Sequence, residues 1–570
     1  MEHIVGNEEE HNDDDNRVEF PKLETLELGG MPAFRSFYSA FNPEDTARNT
    51  MLNHQVTFPC LEKVDVYNMK NLTQVVDGQM LSCSLCKVGR MSVSNCENLL
   101  VVAASDMGSL QKLEVSYCES LEAVFSFEGN QATLGQLDYL ILKNLPKLVE
   151  ISKIPPPGNG TFQNLRYLRV EKCKNLRFLL PFHVAKMLVK IQKITIKQCE
   201  TMEGVIGKTD RVVDDDAELA LFPDLETLEL QDLPMLEMFS SGSLRRLDIA
   251  GCPKWKIFHK APISDAKSIE TSNLKTSEGP FFHQKVKFPD LEILFISGKE
   301  VEMLRDEEHQ YAAPDKLREL HITDCDLLLY AICINDCWRN LEKLRIINCE
   351  SLIKVFQLQG TRVENEPEST NADLQSSKHQ LLKDSLCNLR QVYIAGCNKL
   401  LHVFPSTDQS GGSVFRNLTS LQMFYCDNVR YLLSPSIARA LSSIQNLEIQ
   451  KCKLIEEIVV RDAEDAEDEE EVDKLVLPLL ETLILQKLEN LKWFFHGDLD
   501  FPSLVDFTFN ECPKMEVLCC GTLCTPKIVK DLNDTIRSKY RRETAMKNEA
   551  ESSTTDVEDV EFEEAGRQER

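Results

Sequence analysis

Glycine and proline are sparse, at 23 each in 570 residues, which excludes collagen-like and low-complexity chains. Long apolar runs are also missing. The stretch from Leu327 to Ile334 (LLLYAICI) is among the longest and falls far short of the ~20 residues a spanning helix requires, so no membrane span is expected. The first residues, MEHIVGNEEEHNDDD, lack the basic start and apolar stretch of a secretory signal. Basic residues are outnumbered, 64 against 92 acidic ones, and the formal net charge of -28 argues against nucleic acid or anionic membranes as partners. A soluble cytoplasmic protein is expected, with the nucleus also open to it. In that reducing setting its 20 cysteines are expected to be thiols.

The chemistry of common enzymes is lacking too. A phosphate-binding loop around Gly207-Lys208-Thr209 would need glycine five positions before Gly207, where Met202 stands, so no nucleotide site is expected. No H-R-D or D-F-G run of a kinase occurs. Cys83-Ser-Leu-Cys86 has metal or redox spacing, but no second C-x-x-C or histidine pair stands near it, and Cys519, Cys520 and Cys524 have no histidine beside them. The 11 histidines are scattered, and none stands beside a local nucleophile motif. No metal, cofactor or catalytic residue is expected, and the chain reads as a binding protein.

What is present is repetition. GSLQKLEVSYCESLEAVF (108–125), QNLRYLRVEKCKNLRFLL (163–180) and RNLEKLRIINCESLIKVF (339–356) share the frame L-x-x-L-x-I-x-x-C-x-x-L. Seventeen copies align on the Cys position, from Met31 to Cys512, and eleven of them carry Cys there. The spacing averages about 30 residues, the range of solenoids and not of separate domains. In Leu113-Glu114-Val115 the apolar residues alternate with an acid, the period of a short strand with one buried face. Stacked copies should form a parallel sheet, with Leu113 and Val115 packing on Leu168 and Val170 while Leu121, Val124 and Phe125 fill the coil from its other side. The Cys position turns the chain inward, where a thiol acts as a small hydrophobe whose S–H can reach a carbonyl of the adjacent turn.

A second kind of copy reads FPKLETLELGGM (20–31), FPDLETLELQDL (222–233) and LPLLETLILQKL (477–488), and acidic insertions lead into it. Met1-Glu-His-Ile-Val followed by EEEHNDDD looks like the tail of one more copy, so the chain is expected to begin inside a repeat. This alternation of the two kinds of copy resembles the leucine-rich repeat region of plant intracellular disease-resistance proteins of the coiled-coil, nucleotide-binding class, over roughly residues 1–540. The ending TPKIVKDLNDTIRSKY (525–540) is similar to the close of that region. The nucleotide-binding module of those receptors has no counterpart here. The resemblance implies an α/β solenoid, a leucine-rich repeat horseshoe with short parallel strands on the concave face and irregular coil and short helices on the convex face. It implies a role in defence, sensing a pathogen effector or a modified host protein, with a nucleotide-binding switch domain as a further partner. A repeat-based substrate adaptor and a scaffold or inhibitor are the alternatives.

On this reading residues 1–19 are repeat tail and acidic insertion, 20–525 the solenoid, 526–548 a basic capping helix and 549–570 an acidic tail. Insertions fall near 34–57, 259–287, 357–386 and 461–474. The outward strand positions would face a partner. Phe295, His321, Arg345 and Tyr393 take the middle position of successive copies, with Ile347 and Phe424 beside them, and aromatics with arginine favour protein binding. Lys63, Arg90 and Lys112 form a second, basic stripe that could dock an acidic surface. Segments 8–15, 214–218, 462–473 and 549–564 hold 27 of the 92 acids and no Lys or Arg, so the acidity belongs to insertions and tail, and the repeat body is near neutral.

Overall fold

The computed structural model describes residues 3–5, 17–38, 49–78, 80, 84–104, 107–126, 134–153, 162–207, 222–236, 244–252, 290–298, 315–326, 328–334, 338–358, 386–405, 412–460, 474–528, 532–539 and 541. The insertion cores, the proposed acidic tail and Lys299 lie outside these, and so does Cys83. Among the described residues seventeen five-residue strands belong to the repeat ladder, and each ends two residues before one of the 17 aligned positions. The contacts divide the chain into two units, Met1–Phe295 and Ile296–Arg570.

In the first unit nine parallel strands run from Thr25–Gly29 to Arg246–Ala250. Pairing is in register, so the same repeat position stacks on itself at every step. Leu113 and Val115 meet Met91 and Val93 on one side and Leu140 and Leu142 on the other. The expected neighbours Leu168 and Val170 are one turn further on, because the copy with Leu145 in the Cys place forms a full turn between them. The second unit repeats the pattern with seven strands from Glu319–Thr323 to Asp506–Asn510. Its insertion at 357–386 does not interrupt the sheet: Lys343–Ile347 pairs directly with Gln391–Ala395. Both units are leucine-rich repeat solenoids.

The opposite wall carries more order than coil and short helices. The segments that hold Val124 and Phe125 and their equivalents include short parallel strands, five residues long at Tyr330–Ile334 and Lys354–Leu358 and three residues long at Thr50–Leu52, Gln74–Val76, Val101–Ala103, Ala123–Phe125 and Glu150–Ser152, which make a five-stranded sheet. Their apolar side chains are sealed inside, as at Val124 and Phe125, both 0% exposed. Short helices also occur, among them Pro435–Ala440, capped by Ser434 with Pro435 at its start. Ser36–Tyr38 and Thr50–Leu52, within the first insertion, are strands as well, since Phe37, Met51 and Leu52 are apolar enough to join the core. Residues 532–539 form a helix that buries Ile536, and Asn533 accepts a hydrogen bond from the Leu518 amide at 2.7 Å.

The turn after each strand has a device the sequence reading overlooked. The residue before the Cys position has positive φ in all 17 copies, for example Asn95 (53°), Tyr117 (56°), Lys172 (55°) and Gly396 (69°). This left-handed residue swings the chain inward at a cost of about 1–2 kcal/mol when it is not glycine. The next side chain then doubles back. Cys96 Sγ donates to the Ser94 carbonyl at 3.4 Å and Cys452 Sγ to the Gln450 carbonyl at 3.4 Å, within the thiol's own turn and not the adjacent one. Cys512 does both, reaching Leu485 O at 3.7 Å as well.

The eleven ladder cysteines are at most 1% exposed. Hydrogen bonding with Cys96, Cys199 and Cys349, together with burial, pushes the thiols of Cys118, Cys173 and Cys325 well above the ordinary range. The same hydrogen bonds act to lower the partner thiols Cys96, Cys199 and Cys349, so it is burial that shields the whole ladder from a reagent in solution. Iodoacetamide on the native protein at pH 8 is therefore expected to label the exposed Cys86, Cys520 and Cys524 while sparing the ladder, and to label the ladder in denaturant. Peptide mass spectrometry reads this out, and rapid native labelling of Cys349 or Cys397 would contradict the packing.

Candidate protein-recognition surface

Positions 2 and 4 of each strand point inward, so positions 1, 3 and 5 form an outer face whose neighbours are set by register. In the second unit His321, Arg345 and Tyr393 stand side by side at position 3, and Ile347, Ala395 and Phe424 at position 5. The Arg345 guanidinium lies 4.5 Å from the centre of the Tyr393 ring, and that ring is 5.4 Å from Phe424. Such a contact holds a flexible arginine in one orientation. His321 is half-buried beside Glu319 at 3.5 Å, and Lys343 reaches the same carboxylate at 2.8 Å. Burial acts to raise the Glu319 carboxyl, but its hydrogen bonds and charge contacts with Lys343 and His321 outweigh that and hold it below the usual range. The carboxylate is therefore ionised at neutral pH, and the pair's contribution to stability is lost only as the pH falls through the lowered value.

Phe295 belongs to the first unit, where Arg246 lies 4.4 Å from its ring centre. That guanidinium also binds the Asp248 carboxylate through Nε at 3.0 Å and Nη2 at 2.9 Å.

The basic stripe is in register, Lys63 beside Arg90 beside Lys112, all at position 1. Two of its members have carboxylates close by: Lys63 is 2.5 Å from Asp65, which raises its pKa, and Lys112 is 3.9 Å from Glu114. Glu114 is shared with Lys143 at 3.0 Å. Further along the same row Tyr139 and Tyr167 stack with ring centres 4.5 Å apart.

A surface hollow of about 640 Å³ went unforeseen. Asp324, Asp326, Asn348, Glu350, Gly396 and Tyr425 line it at the ends of the second unit's strands. These residues flank the Cys position and are not outward strand positions, where the sequence places a binding face. Asp324, Asn348, Gly396 and Tyr425 are all left-handed residues, which is why their side chains and backbone edge this hollow. Among the described residues no group of three or more His, Cys, Asp or Glu is arranged to hold a metal ion, and no helix is long and apolar enough to cross a membrane.

Comparison with known proteins identifies the repeats. The family model for plant disease resistance protein RPS2-like leucine-rich repeats matches residues 61–200, 290–411 and 406–532. No curated protein matches the chain. Solved structures that it resembles include a Leptospira interrogans leucine-rich repeat protein, 13% identical over 86% of this chain and 85% of that one, with a TM-score of 0.28. The TLR13–ssRNA13 complex is 12% identical over 86% and 73%, also with a TM-score of 0.28. The plant peptide hormone receptor RGFR1 in complex with RGF2 is 13% identical over 90% and 82%, with a TM-score of 0.21.

Proposed function

Because the chain belongs to the family of plant disease resistance protein RPS2-like leucine-rich repeats, we propose that it is a protein-recognition module of plant innate immunity. Its ligand is a pathogen effector or a modified host protein inside the cell, in the cytoplasm or nucleus. The observation that carries this reading is the three-part family match on chains of in-register repeats. The fold itself supports binding over catalysis, since each outward strand position adds one side chain to a broad surface and none of the site residues forms a nucleophile–base pair.

His321, Arg345 and Tyr393, with Ile347 and Phe424, are the contact residues on this reading. They combine two aromatic rings, an aliphatic and a fixed guanidinium, the side-chain types that dominate binding energy in protein interfaces. Phe295 with Arg246 offers a second, separate contact in the first unit.

Plants lacking the protein are expected to allow more growth of at least one pathogen isolate, with resistance restored by the wild-type chain and not by the Arg345→Ala, Tyr393→Ala double variant. Unchanged pathogen growth across a broad isolate panel would remove the immune role and leave the adaptor and scaffold readings.

A further inference from the structure

Two arginines occupy the middle position of the outward face, Arg169 and Arg345, and their surroundings differ in one respect that matters. Arg169 is followed two residues later by Glu171, and the carboxylate clamps the guanidinium through Nε at 2.8 Å and Nη2 at 2.6 Å. The corresponding residue after Arg345 is Ile347. Arg246 supplies a second comparison: it covers an aromatic ring as Arg345 does, yet Asp248 takes its hydrogen-bonding edge. Arg345 alone of the three has no carboxylate partner among the described residues.

The described acids of the neighbouring strands are engaged elsewhere. Glu319 is held by Lys343 and His321, Glu342 by Arg318 at 2.9 Å, and Glu448 accepts from Gln422 at 2.7 Å. The Arg345 guanidinium is thus oriented by the Tyr393 ring, and its fork of N–H donors is unmatched by any carboxylate among the described residues. A planar fork fixed on an aromatic shelf is suited to bidentate capture of a carboxylate.

We propose that Arg345 is a receiving site for an aspartate or glutamate side chain of the partner protein, with Tyr393 and Phe424 bearing an apolar side chain next to it. The proposal rests on the recognition reading above and names the chemistry of its ligand. Adjacent strands are about 4.8 Å apart, so Tyr393 is one step and Phe424 two steps from the Arg345 strand. An extended partner segment advances about 3.3 Å per residue, which places its apolar residue one to three positions from the acid.

The test uses a phage library of random twelve-residue peptides, selected on the full 570-residue chain. Selected binders are then measured against Arg345→Ala, Ile347→Glu and Arg169→Ala, each checked for an unchanged unfolding midpoint. Ile347→Glu is the informative variant, because it keeps Arg345 but places a carboxylate where Glu171 stands relative to Arg169. Binders are expected to carry Asp or Glu one to three residues from an aromatic or aliphatic residue. Their affinity should fall about tenfold or more with Arg345→Ala and with Ile347→Glu, the effect of losing a charge-assisted bidentate contact, and hold with Arg169→Ala. Binders that tolerate both Arg345→Ala and Ile347→Glu would overturn the carboxylate site while leaving recognition by another surface standing. A library that yields no binder overturns the site as well.

Discussion

Leu344→Asp is expected to unfold the turns around it, whereas Arg345→Asp, the same change one residue later, leaves the second unit folded. Leu344 is 1% exposed and stacks between Leu320 and Val392, so the substitution removes a buried leucyl side chain and puts a carboxylate in its place. The lost packing alone costs about 2–5 kcal/mol, and an unpaired buried charge adds several more. Arg345 is exposed on the outer face, and its change gives up a cation–ring contact worth about 1 kcal/mol or less. Urea unfolding followed by tryptophan fluorescence separates the two, since Trp338 and Trp493 both lie in the second unit. Equal loss of stability in both variants would mean that the strand does not alternate as described.

Phe356→Ala is the second large effect. Phe356 is 0% exposed and touches rings from two later segments, Phe404 at 5.9 Å and Phe415 at 5.0 Å, which themselves meet at 4.8 Å. Removing it leaves a ring-sized cavity in the core of these turns, at a cost of about 3–5 kcal/mol. In a solenoid each turn contacts its neighbours alone, so the loss should be local. Hydrogen exchange is expected to speed up in Lys343–Ile347 and Gln391–Ala395 and to change little in Asp506–Asn510. Uniform acceleration across the unit would instead show that its turns unfold as one.

The sheet was legible because alternation over five residues is a strong signal and recurs seventeen times. Register followed from it, so Arg345 could be placed beside Tyr393 despite an insertion of about 30 residues between their strands. The three-residue strands of the opposite wall were not legible, since Ala123-Val124-Phe125 is too short to show a period and reads equally well as core filler. The left-handed turn was half visible. Gly30, Gly251, Gly298 and Gly396, with Asn68, Asn95, Asn144 and Asn348, mark it by residue type, but Tyr117, Lys172 and Glu511 adopt the same φ under the pull of the stacked turns and conceal it. Burial of the ladder cysteines was legible from their place in the frame. The carbonyl that each one meets was not, because it depends on that turn.

At the candidate site the sequence carried more than was taken from it. The contrast between Arg169-Val-Glu171 and Arg345-Ile-Ile347 is written in the chain, and it decides which guanidinium is matched internally. The stacking of Arg345 on Tyr393 and of Arg246 on Phe295 needed side-chain directions that no spacing supplies.

The recognition claim is tested most directly by a photo-crosslinking phenylalanine analogue, which keeps an aromatic ring for Arg345 to lie on, placed in the full chain at Tyr393, on the outer face, or at Leu401, exposed on the flank of the same turn. In plant tissue challenged with a pathogen, position 393 is expected to crosslink to a defined protein, and Arg345→Ala to abolish that product. Crosslinking from 401 with none from 393, or a product at 393 that persists in Arg345→Ala, would contradict the account.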